Sequence, residues 1–173
     1  MKKTSTAAKK TALCGVLAAL SIALLYLGGL TPLDLSVIFL CALITIFVVI
    51  EAGEGYAWIF IFVTGALAGI LMPNKLFSIE YFLFGALYPI LKSHIEKLPR
   101  IPSFIVKIAV LDIMLLGCLL LGKFVFLAGE DYFSLSFVTM LIGTLFFVLY
   151  DFTLTKCLSY YLAVLRKKLN IKW

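Results

Sequence analysis

LSVIFLCALITIFVVI, residues 35–50, decides the class of this chain: the run holds no charged side chain. As an α-helix rising about 1.5 Å per residue it covers about 24 Å, close to the hydrocarbon thickness of about 30 Å once its ends reach the interface or the bilayer thins. Five further runs of the same kind lie on either side, at Ala12 to Leu30, Tyr56 to Met72, Leu76 to Leu91, Phe104 to Leu121 and Phe133 to Tyr150. The breaks between them are short and polar or rich in Gly and Pro: GGLTPLD (28–34), EAGEG (51–55), MPNK (72–75), KSHIEKLPRIPS (92–103) and GKFVFLAGED (122–131). The whole composition agrees, with 173 residues that are 64% hydrophobic and 14% charged and a mean hydropathy of +1.14. Soluble domains run about 45–50% apolar and about 25% charged. The expectation is an all-α integral membrane protein, a compact bundle of six transmembrane helices forming a single domain over residues 1–173. No polar stretch is long enough to fold separately, and the apolar run after the basic N-terminus reads as a retained first helix rather than a cleaved leader.

Orientation follows from the cations. Fifteen Lys and Arg against nine Asp and Glu give a net charge of +6. Lys2, Lys3, Lys9 and Lys10, then Lys92, Lys97 and Arg100, then Arg166, Lys167, Lys168 and Lys172 fall on one side of a six-span path, and only Lys75 and Lys123 on the other. The positive-inside rule then sets both termini in the cytoplasm, for a multi-pass protein of a cell membrane. Cations placed at chain ends and in one loop point to anionic headgroups of membrane lipid, not to nucleic acid. Beyond Tyr150, Leu154, Leu158, Tyr161, Leu162 and Leu165 keep helical spacing, so the last helix extends as a cytoplasmic tail at the interface.

Catalytic sets are missing from the sequence. Cys14, Cys41, Cys118 and Cys157 sit in apolar runs without CxxC spacing, which reads as buried small hydrophobes. His94 is the only histidine and cannot supply the usual ligand set of a zinc or iron site. There is no GxxxxGK[ST] and no GxSxG, so the expectation is a protein that is not an enzyme and carries no cofactor or metal.

Charges inside apolar spans are costly and therefore informative. Glu80 lies one turn into the fourth run, and Asp112 sits near the middle of the fifth, where it should face the bundle interior and pair with a hydroxyl or a cation. Lys107 and Asp151 lie nearer the inner ends and read as side chains that extend to the interface. Asp34, Asn74, Lys75, Glu80 and Lys123 could converge on an outer cavity, with Asp112 below it; such a mixture suits a small polar or zwitterionic solute. In the first run Gly15, Ala19 and Ala23 recur at spacing four, beside Cys14 and Ala18. Small residues at that spacing let another helix approach closely, either inside the bundle or on a partner. Pro89, late in the fourth run, removes a backbone donor and should kink that helix.

A basic N-terminus leading into KKTALCGVLAALSIALLYLGG, six short spans, and an inner loop after YPILK together resemble the substrate-binding S components of energy-coupling factor (ECF) transporters. The resemblance covers nearly the whole chain at the level of architecture. It implies capture of a vitamin or related micronutrient on the external side, with energy supplied by a separate transmembrane T component and two ATPases. It also implies that the small pair docking on the T component is Gly15 and Ala19, or Ala19 and Ala23. The alternative class is a small six-span scaffold of the cell-envelope machinery, of the kind that serves rod shape and wall elongation.

Overall fold

The computed structural model describes residues 2–31, 33–125 and 137–166, and among the described residues the chain is helical, with no strand. The first three helices are α1 (Lys2–Gly28), α2 (Asp34–Glu51) and α3 (Glu54–Leu71). Next come α4 (Lys75–Glu80), a π-helical segment (Tyr81–Leu87) and α5 (Tyr88–Ile95), which follow one another without a break and form a single rod over 75–95. The last two are α6 (Arg100–Val125) and α7 (Phe137–Tyr160), and a π-helical turn, Tyr161–Leu165, ends the described chain but for Arg166. Among the described residues five stretches are long and apolar enough to cross a membrane: Ala7–Gly28, Asp34–Glu51, Glu54–Leu71, Ile101–Gly122 and Leu141–Val164.

The turn between α2 and α3 shows how tightly the first helices are reversed. Gly53 takes φ 100°, a left-handed conformation that costs a residue without a side chain little, and its N–H donates to the Val48 carbonyl at 3.2 Å. The break expected over 92–103 is narrower in the structure, confined to 96–99. Helix α5 carries Lys92 in its last turn, where a cation complements the exposed carbonyls.

Helix α2 is central. It packs against α1, α3, the rod and α7, while α6 bridges the rod and α7. Small buried residues, among them Ala18, Ala42, Ala57, Ala68 and Ala86, let these helices approach, and Leu25, Cys41, Ile61, Tyr81 and Tyr88 fill the space between them. Apolar side chains also cover the outside: Ile59, Phe62, Ile70, Ile101, Ile113 and Leu145 are all more than half exposed. A surface apolar all round suits lipid as solvent rather than water.

The π-helical segment has a definite cause. Pro89 lacks the N–H that would bond the Gly85 carbonyl in an α-helix. Helical hydrogen bonds shift register above it, so that the Tyr88 N–H reaches Leu83 O, five residues back. The freed carbonyls are taken by side chains of other helices: Thr45 Oγ1 of α2 donates to Gly85 O at 3.0 Å, and Tyr150 Oη of α7 donates to Phe84 O at 2.6 Å. Gly85 is required where α2 crosses, since a Cβ there would stand 2.7 Å from Tyr81 Cδ2 and 3.3 Å from Ile38 O. Pro89 thus acts through a register change as well as through the donor it lacks.

Candidate functional site

A cavity of about 330 Å³ lies between α2, the rod, α6 and α7. Its walls are mostly hydrocarbon and aromatic, including Ile38, Phe84, Leu115, Cys118 and Phe147, and Glu80 is the one residue in the lining with a formal charge. Phe84 and Phe147 stack on each other in its wall, ring centres 4.5 Å apart and planes 26° apart. The Tyr150 hydroxyl, also at this wall, is already committed to Phe84 O. Glu80 ends α4 where the π-helical segment begins, and Phe84 follows four residues on, so the two share one helical face. Among the described residues Glu80 makes no hydrogen bond and no ion pair, although it is only partly exposed.

The other residues expected at an outer cavity have different employment. Asn74 caps α4, its Oδ1 accepting from the N–H groups of Leu76 at 3.0 Å and Phe77 at 3.3 Å. Lys75 Nζ donates to Gly69 O at 2.8 Å and Met72 O at 2.9 Å, closing the end of α3. Both lie outside the cavity lining. Asp34 stands in the first turn of α2, next to the lining residue Leu35, and its charge acts on Glu80. Asp112 accepts a hydrogen bond from Thr144 Oγ1 at 2.8 Å and ties α6 to α7. The side chain of Lys123 lies outside the described residues.

The opposite end of the same helices holds a charge network where sequence reasoning saw only side chains reaching separately to the interface. Lys92 Nζ pairs with Asp151 Oδ1 and stands 3.1 Å from Glu96 Oε1, and it donates to Thr155 Oγ1 at 2.7 Å. Lys107 Nζ stands 2.8 Å from Glu96 Oε1 and 3.2 Å from Asp151 Oδ2. Tyr88 Oη donates to Asp151 Oδ1 at 2.6 Å. Two cations and two carboxylates cancel, and the Lys92 side chain is almost wholly covered. Alongside, buried Glu51 accepts from Tyr161 Oη at 2.9 Å and pairs with Arg166 at 3.1 Å, His94 Nε2 stands 3.0 Å from Glu54 Oε1, and Lys10 Nζ donates to Ala52 O at 3.0 Å. Lys92 and Glu96 at i and i+4 were a readable pair, but Asp151 joins them from 59 residues away. With its charges paired, the network fixes α5, α6 and α7 together.

On α1 the small face points away from the bundle. Gly15, Ala19 and Ala23 are exposed, whereas Ala18, Ser21, Leu25 and Gly28 are the buried side. A Cβ built at Gly15 meets nothing within 4 Å. Internal packing therefore does not account for the recurrence of small residues there. Among the described residues no group of three His, Cys, Asp or Glu side chains could hold a metal ion, and the four cysteines are unpaired.

No protein-family model matches this chain, and no curated protein or solved structure does.

Proposed function

We propose that this chain is a six-span protein of the bacterial plasma membrane, with both termini cytoplasmic, that captures a small-molecule substrate as the S component of an ECF-type micronutrient importer. Energy comes from partners, a transmembrane T component and ATPase subunits, because the chain has no nucleotide-binding motif of its own. The observation that carries the reading is the outward small face of α1. Gly15, Ala19 and Ala23 form a smooth strip on a helix otherwise clothed in exposed Val16, Leu20 and Leu27. In lipid such a strip gains by close contact with another helix, which dispersion and packing reward and hydrocarbon chains do not match.

Two further features support it. On this reading the rod over 75–95, which is not among the five apolar stretches, makes the sixth crossing. The Lys92 network, Lys10 and Arg166 share one end, as the positive-inside rule asks of a cytoplasmic face. The test is co-purification from the native membrane. Recovery of the T component and ATPases with the parent protein, lost in Ala19→Leu while the variant stays folded, is the expected result. Recovery of wall-elongation proteins instead would transfer the chain to the scaffold class.

A further inference from the structure

The cavity beside Glu80 has the composition of a binding site for one narrow class of ligand. A carboxylate in an apolar, weakly solvated wall is expensive unless a positive charge or a set of donors compensates it. At the opposite end of the same helices each carboxylate has such compensation: Asp151 has Lys92 and Lys107, and Glu51 has Arg166 and Tyr161. Glu80 has none among the described residues, and the nearby charge of Asp34 is of the same sign. Among the described residues, the Tyr150 hydroxyl at this wall is engaged on Phe84 O and Lys75 on the end of α3. Apart from the Cys118 thiol and the engaged Tyr150 hydroxyl, the rest of the described lining is hydrocarbon and stacked aromatic surface.

From this geometry we propose that the cavity is a binding site for a compact lipophilic amine, with the protonated nitrogen on the Glu80 carboxylate and a flat apolar body beside Phe84 and Phe147. The volume of about 330 Å³ is at the small end for ligand sites, which limits the body to one or two fused rings. An aromatic face also attracts the positive charge carried by the ligand. Carboxylate ligands are disfavoured by the charges of Glu80 and Asp34, and purely polar ones by the hydrocarbon walls. The assignment names the substrate class for the importer reading and rests on that reading only for its biological setting.

The test uses the full chain in detergent, without coupling proteins, and three probes of one shape: tryptamine, 3-ethylindole and indole-3-propionate. Equilibrium dialysis should show tryptamine bound at least tenfold more tightly than either of the others. Glu80→Gln, with an unchanged melting temperature, should erase that preference. A second variant keeps the test alive if Glu80→Gln does not fold: Ile142→Trp, at an exposed position of the lining, should block all three probes by filling the mouth. Equal binding of the three probes, or tryptamine binding unchanged in folded Glu80→Gln, overturns the proposal. Tryptamine binding without recovery of the coupling proteins would leave this site standing and remove the importer reading. Recovery of those proteins with no amine preference would do the reverse.

Discussion

Tyr150 Oη of α7 donates to the carbonyl of Phe84 at 2.6 Å, 66 residues away, and takes up a backbone acceptor in the register change above Pro89. The rod, α2 and α7 are thereby joined at one level, since Thr45 does the same for Gly85. Removing either hydroxyl leaves a buried carbonyl unpaired. We expect Tyr150→Phe and Thr45→Val each to lower stability by about 1 kcal/mol, read by thermal melting in detergent. Pro89→Ala restores the missing N–H, so the cost of Thr45→Val should fall in that background. A cost independent of residue 89 would disconnect the two.

The neutral network around Lys92 predicts non-additivity. Lys92→Met leaves Asp151 with Lys107 and Tyr88, and Asp151→Asn leaves Lys92 with Glu96 and Thr155, so each single change unbalances the network without emptying it and should cost about 1–3 kcal/mol. The double variant should cost clearly less than the two together. Additive losses in a denaturation series would mean that the two groups do not depend on each other.

Glycines give the sharpest contrast between the inside and the outside of the bundle. Gly85→Ala drives a Cβ against Tyr81 and Ile38 and should cost about 1–3 kcal/mol. Gly15→Ala, facing open space, should stay within about 0.5 kcal/mol of the parent. Melting curves of the two variants, made side by side, check this.

Asp112 and Thr144 form a tie that a sequence cannot pair. Thr144→Val should destabilise by about 1–3 kcal/mol because it leaves the Asp112 carboxylate without that donor. Asp112→Asn keeps an acceptor and should cost less. The reverse order in a melting comparison would show that the charge itself, rather than the hydrogen bond, holds α6 to α7.

Topology has a direct assay. Reporter fusions after Arg100 and after Lys168 should read cytoplasmic, and one after Glu130 external. An external reading at Lys168 would end the six-span proposal.

How far these features are legible in the sequence depends on how local their causes are. Helices α2 and α3 follow the apolar runs 35–50 and 56–72 within a residue or two, because charge at Glu51 and Glu54 and the flexible Gly53 mark the turn locally. That Asp112 needs a polar partner follows from its depth alone; that Thr144 is the partner does not, since the contact is made across two helices. Pro89 announces a lost donor, but the register shift depends on Thr45 and Tyr150 arriving from α2 and α7. At the site, Glu80 stands out as a costly charge, while the apolar walls around it come from four separate parts of the chain. Asn74 carries an N-cap signature directly before a helix, and that local duty outweighs a role in any pocket.

Ion pairing is unevenly distributed along the last long helix, α7. Among the described residues its ion pairs lie at Asp151 and beyond, while beside the cavity wall at Ile142 and Gly143 a hydrogen bond from Thr144 to Asp112 ties it to α6. The helix is therefore a lever with its fulcrum at the charge cluster. Nine residues of α-helix separate Asp151 from Ile142, so a tilt of about 10° at the fulcrum moves the far arm by about 2 Å. Small excursions of one helix can thus widen the entrance beside Glu80 while the clamp stays shut.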